Sequence, residues 1–136
     1  MKRHPEFGPR IFIKTDQESS VGRGCVEYAD HYQPHMSMLK RAAAASAPLA
    51  AVCVRFTEGY RNTRDTRDRH EDNQAFDITI EMPRSRGTAT RRATRAELEE
   101  TAQRMRLFMG PAWQFVVHGR GANMHIHAEY EPKEIL

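Results

Sequence analysis

The sequence predicts an α+β domain in which a small antiparallel sheet of about four strands carries helices on one face and leaves its other, polar face open. Three observations lead there. Four segments, Val52–Thr57, Ala75–Glu81, Trp113–His118 and Met124–Tyr130, alternate apolar and polar residues, the period of a half-buried strand. Two further segments carry helix signals, one of them a full capping box. The polar halves of the strands gather histidines and acids that a purely structural sheet has little reason to collect.

Taken in chain order, residues 1–24 combine Pro5, Pro9 and several glycines around one strand-like piece, Ile11-Phe12-Ile13. They are expected to form a partly ordered arm, with residues 25–136 making one domain. Pro34 suits the first turn of a helix that runs through Met36, Met38, Leu39 and the alanines Ala42–Ala45 until Pro48 stops it. The second helix starts at the capping box of Thr94 and Glu97. It repeats Leu98, Ala102, Met105 and Met109, and it ends at Gly110-Pro111. The stretch from Arg84 to Arg95, poor in apolar residues, reads as an exposed loop.

Alternation sorts the strand residues into two faces. The core face collects Val52, Val54, Phe56, Phe76, Ile78, Ile80, Trp113, Phe115, Val117, Ile126, Ala128 and Tyr130. The opposite face collects Arg55, Asp77, Thr79, Gln114, His118, His125, His127 and Glu129, and any chemistry is expected there.

Composition bounds the partners. Apolar residues at 39% and charged residues at 29% are those of a folded domain. The net charge of +3 suits acidic partners, but the arginine-rich stretch has no aromatic platform beside it, which argues against nucleic acid. No apolar run approaches the roughly 20 residues needed to span a bilayer, so no membrane partner is expected. The amino terminus lacks the apolar stretch of a signal peptide, an expectation of cytoplasmic synthesis. Cys25 and Cys53 are too few for a disulfide scaffold; by alternation Cys53 falls on the polar face, where it could approach a metal, although a small buried thiol is the commoner outcome. Nothing in the sequence sets the oligomeric state.

A catalytic zinc takes three protein ligands from imidazole and carboxylate and keeps one position open. His70, Asp77 and His127 supply such a set, because Asp77 lies on the second strand, His70 just before it, and His127 on the fourth. Asp77, placed mid-strand between Phe76 and Ile78, needs a partner; Arg55 or Arg61 would be its partner without a metal.

The stretch EGYRNTRDTRDRHEDNQAFDITIE resembles a pattern in which Gly-Tyr-Arg is followed by Ser-x-His-x-x-Gly-x-Ala-x-Asp and an apolar residue. The matching positions are Gly59, Tyr60, Arg61, His70, Ala75, Asp77 and Ile78. The later stretch WQFVVHGRGANMHIHAEY, with His125 and His127, resembles the closing strand of the same class. On these residues, over about 50–130, the chain resembles the zinc D-alanyl-D-alanine carboxypeptidases, dipeptidases and phage endolysin peptidases that share the hedgehog-type zinc fold. Asp68 and Asn73 stand where the pattern has serine and glycine; asparagine tolerates the left-handed conformation such a glycine supplies.

The resemblance implies a bound Zn2+ on His70, Asp77 and His127, and a peptidase acting on peptidoglycan stem peptides, including a phage-type lysis enzyme acting on the cell wall. Arg61 then stabilises the oxyanion or anchors a substrate carboxylate. The family's acidic base shortly before the last ligand is missing, since Gly121, Ala122, Asn123 and Met124 fill those positions. His118, His125 and Glu129 are left as candidate proton acceptors, with His118 preferred at the end of the third strand. The alternative is a zinc-binding structural or binding module of the same fold that has lost the chemistry.

Overall fold

The computed structural model describes residues 2–3, 10–13, 35–58, 75–87 and 89–130. In chain order these form β1 (Lys2–Arg3), β2 (Ile11–Ile13), helix α1 (His35–Ser46), β3 (Cys53–Glu58), β4 (Ala75–Pro83), β5 (Thr90–Arg92), helix α2 (Arg95–Met109), β6 (Trp113–His118), a 3-10 turn (Gly121–Asn123) and β7 (His125–Tyr130). The class is α+β, as expected, but the sheet is larger than four strands and mixed. Its order is β1-β2-β3-β4-β7-β6, with β5 also on β4.

The extra strands come from two places. Ile11–Ile13 runs parallel to β3, pairing Ile11 with Val54 and Ile13 with Phe56, so part of the expected arm is sheet and Ile11 is fully buried. Within the stretch expected to be an exposed loop, Thr90–Arg92 pairs antiparallel with β4 through Glu81–Arg92 and Pro83–Thr90. The cause lies in β4, which outruns β7: its edge pairs with β7 from Ala75 to Ile78 and then takes up β5, leaving no bare ladder.

Helix α2 forms where its caps dictate. The Thr94 side chain accepts from the Glu97 amide and the Glu97 carboxylate accepts from the Thr94 amide, which satisfies two of the helix's orphan donors. Leu98, Thr101, Ala102 and Met105 turn inward. Gly110, with φ of 84°, donates its amide to the Arg106 carbonyl and ends the helix. Helix α1 is closed differently: the Arg10 guanidinium donates to the carbonyls of Ala44 (2.7 Å) and Pro48 (2.6 Å), a cation at a helix C-terminus.

Both helices cover one face of the sheet. Leu39, Ala42 and Ala43 from α1 and Leu98, Ala102 and Met105 from α2 share one core with Phe56, Phe76, Ile78, Ile80, Phe115 and Ile126. Phe56 and Phe76 meet edge to face at 6.4 Å, a favoured aromatic geometry. One strand residue departs from the expected division, and one helix residue has a burial that the sequence did not indicate. Val52 precedes β3 and is 49% exposed, and Lys40 is wholly buried, its ammonium 6.0 Å from the centre of the Phe56 ring.

Glu97 also bonds the Arg91 guanidinium, Oε1 to Nη1 at 2.7 Å and Oε2 to Nη2 at 3.1 Å. That bond, with the Thr94 donors, lowers the Glu97 pKa from 4.5 to about 2. A carboxylate with a depressed folded pKa stabilises fully above its unfolded value and loses that contribution as pH falls through the folded one. Glu97→Gln keeps the capping box and removes the charge. It is expected to lower stability at neutral pH by about 1 kcal/mol, screening included, and to flatten the acid limb of the melting profile between about pH 5 and 2. An unchanged acid limb in that variant would contradict the assignment.

Candidate metal centre

The face of the sheet away from the helices is built by β4, β7 and β6. Register places Asp77 opposite His127 across β4 and β7, and His118 opposite His125 and Gln114 opposite Glu129 across β7 and β6. Because side chains alternate along each strand, these groups share one face while Phe76, Ile78, Phe115, Ile126 and Ala128 point into the core.

Asp77 is the centre of the group. Its Oδ1 lies 3.2 Å from Nδ1 of His127 and 3.7 Å from Nε2 of His125. The other nitrogen of His127, Nε2, is 3.4 Å from Oε1 of Glu129. Glu129 therefore bends back along its strand and covers the 6–7 Å that two extended residues would put between them. Nδ1 of His125 meets the Asn123 carbonyl at 2.7 Å. A carbonyl only accepts, so Nδ1 carries a proton and the ring is oriented by that bond. The His118 ring completes the group, 5.5 Å from that of His127 and 5.9 Å from that of His125.

The electrostatics divide the histidines. The Asp77 hydrogen bond, with Glu129 adding to it against the effect of burial, raises the His127 pKa. Burial lowers the pKa of His118, and the neighbouring His127 and His125 lower it further. The two rings are thus pushed in opposite directions, His127 by the carboxylates on either side of it and His118 by burial beside other imidazoles.

The donor chemistry fits a cation shared by Asp77 and His127. Ligands at 2.0–2.2 Å in a tetrahedron lie roughly 3.3 Å apart, and the Asp77–His127 contact is 3.2 Å. Glu129 on the far nitrogen of His127 has the place of an outer carboxylate that would fix the tautomer of His127 if that ring held a cation. Among the described residues, no group of three His, Cys, Asp or Glu side chains is arranged as a metal site. The third expected ligand, His70, lies outside the described residues, as do Arg61 and Cys25.

Of the residues expected to meet, Asp77, His118, His125, His127 and Glu129 are brought together. Arg55 is not the partner of Asp77: it pairs with Glu81, Nη1 to Oε1 at 2.9 Å. Cys53 lies on the same face as expected and lines a cavity with Arg55 and Glu81, where burial raises its thiol pKa and leaves it a poor ligand or nucleophile. Glu81 and Arg92 were missed by the sequence reading, although the period of Asp77 and Thr79 extends to Glu81.

No family model matches this chain, and no match to it is found among curated proteins or solved structures. Among the described residues no helix is long and apolar enough to cross a membrane.

Proposed function

We propose that this chain is a zinc-dependent peptidase acting on peptidoglycan stem peptides, of the carboxypeptidase or endopeptidase kind and suited to phage-type lysis. The observation that carries the reading is the contact of Asp77 with His127 across β4 and β7, two residues that the motif resemblance pairs as ligands. His70, Asp77 and His127 would hold the ion. Zinc, when bound, supplies Lewis acidity, polarising a peptide carbonyl and acidifying water.

The remaining residues position and move protons. Glu129 accepts the Nε2 proton of His127 and leaves Nδ1 as the donor beside Asp77. The Asn123 carbonyl holds the Nδ1 proton of His125, so that the ring keeps a fixed tautomer and orientation. His118, whose pKa is lowered by burial and by its two imidazole neighbours, accepts the proton released on attack and returns it to the leaving amine. Arg61 stabilises the developing oxyanion, a role that rests on the motif alone.

A second reading is favoured by one observation. The turn from Gly119 to Met124 that precedes His125 holds no acid, and a zinc-binding module that has lost its chemistry would have this turn. Zinc-loaded protein incubated with purified muropeptides and followed by mass spectrometry separates the two. Cleavage within the stem, or release of D-alanine, is expected. His118→Ala is expected to keep its zinc and to lose about a hundredfold or more in cleavage rate. Intact muropeptides beside a full complement of zinc would favour the binding module, and undiminished cleavage in the variant would pass the base role to His125 or Glu129.

A further inference from the structure

Next to the imidazole cluster, on the same face, lies a cavity of about 630 Å³ lined by Phe12, Cys53, Arg55, Thr79, Glu81 and Arg92 among others. Three features give it a built character. Arg55 and Arg92 approach one carboxylate from two strands, with Glu81 Oε1 2.9 Å from Arg55 Nη1 and 3.7 Å from Arg92 Nε. Arg92 is held a second time, its Nη2 donating to the Ala122 carbonyl at 2.6 Å. Two guanidiniums against one carboxylate leave the group one positive charge in excess, at side chains only about a third exposed.

The third feature is Thr79. It is 4% exposed, and its hydroxyl has no hydrogen-bond partner among the described residues. A buried hydroxyl left unpaired is costly, and this one lines the cavity between the arginines' strands. Excess positive charge and an unused hydroxyl together describe a receptor for a monoanion with two acceptor oxygens.

We propose that this cavity is a subsite for a peptide carboxylate, held by Arg55 and Arg92 and completed by the Thr79 hydroxyl. That the carboxylate belongs to the substrate rests on the peptidase reading. Asp77 and Thr79 are alternate residues of β4, roughly 6–7 Å apart, which is the span of about two extended peptide residues. A stem peptide lying along β4 with its scissile bond at Asp77 and His127 therefore sets a carboxylate about two residues away in the cavity, the arrangement for release of a dipeptide and not of a single D-alanine. Arg55 faces Thr79 directly in the β3–β4 register, so the charge and the hydroxyl are cross-strand neighbours in the wall of one cavity.

The test is calorimetric titration of the full chain, with and without chelator, with N-acetylated tri-D-alanine and with its C-terminal amide. The acid is expected to bind at least about tenfold tighter than the amide. Arg92→Gln and Arg55→Gln are each expected to erase that difference. Thr79→Val guards against loss of fold: it removes only the hydroxyl, and it is expected to weaken the acid severalfold while leaving the melting temperature equal or higher. Equal binding of acid and amide, or a preference that survives both arginine variants, overturns the subsite. Muropeptides left whole by a protein that still prefers the acid through Arg92 would sink the peptidase reading and spare the subsite. Cleaved muropeptides with equal acid and amide binding would do the reverse.

Discussion

Asp77→Ala is expected to weaken zinc binding by more than about a hundredfold, beyond the 10–100-fold that loss of an outer carboxylate costs. Asp77 is 9% exposed and its Oδ1 faces both His127 and His125, so on the proposed reading its removal takes away a ligand and leaves His127 without its hydrogen-bonded carboxylate. Asp77→Asn keeps the shape and loses the charge, and should fall nearly as far. Glu129→Gln, which touches only the far nitrogen of His127, should lose about 10–100-fold. Zinc titration followed by elemental analysis distinguishes the three. Full metal content in Asp77→Ala would show that Asp77 is not a ligand, and equal losses in Asp77 and Glu129 variants would show that the two carboxylates have been given the wrong ranks.

The second large effect belongs to a residue with no functional group. Gly119 joins β6 to the turn before β7 with φ of 87°, and a Cβ there would lie 2.4 Å from the Asn123 carbonyl oxygen and 2.8 Å from its carbon. Both atoms are backbone, so the turn itself would have to move. Gly119→Ala is expected to cost about 2–4 kcal/mol, more than left-handed strain alone, and to lower the melting temperature by roughly 10 °C. Gly87 supplies the control. Its φ is 78° but nothing lies within 4 Å of its Cβ position, so Gly87→Ala should cost only about 1 kcal/mol. The same Asn123 carbonyl orients His125, which predicts that Gly119→Ala also disturbs zinc affinity. A melt unchanged from that of the parent would refute the close approach.

The parts of this fold that local rules govern were legible in the sequence. Thr94 with Glu97 marked the start of α2 because a capping box needs only three residues' spacing. The division of Phe76 from Asp77, or Ile126 from His127, followed from the period of two. What escaped was set by neighbours distant in sequence. Thr90, Arg91 and Arg92 have no apolar alternation, and they form a strand because β4 offers an edge that β7 leaves uncovered. Lys40 is buried with its ammonium over the Phe56 ring, a contact that no helix pattern contains. In the candidate site, Asp77 and His127 were legible from motif and alternation together. The bend of Glu129 onto His127 was not, since it depends on a rotamer that the strand period does not specify.

Asp77 and His127 are 50 positions apart in the chain, and this separation has a kinetic meaning. The β6–β7 hairpin is joined by a short turn and can close locally, but it meets β4 only after a long loop has been brought together, the slowest kind of contact to form. Until that edge closes, the aspartate and the three histidines belong to separate pieces of chain. Ligand binding at this face would consequently report closure of the β4–β7 edge: in a refolding experiment the recovery of the proposed metal affinity should track that step, whatever the order in which the other elements assemble.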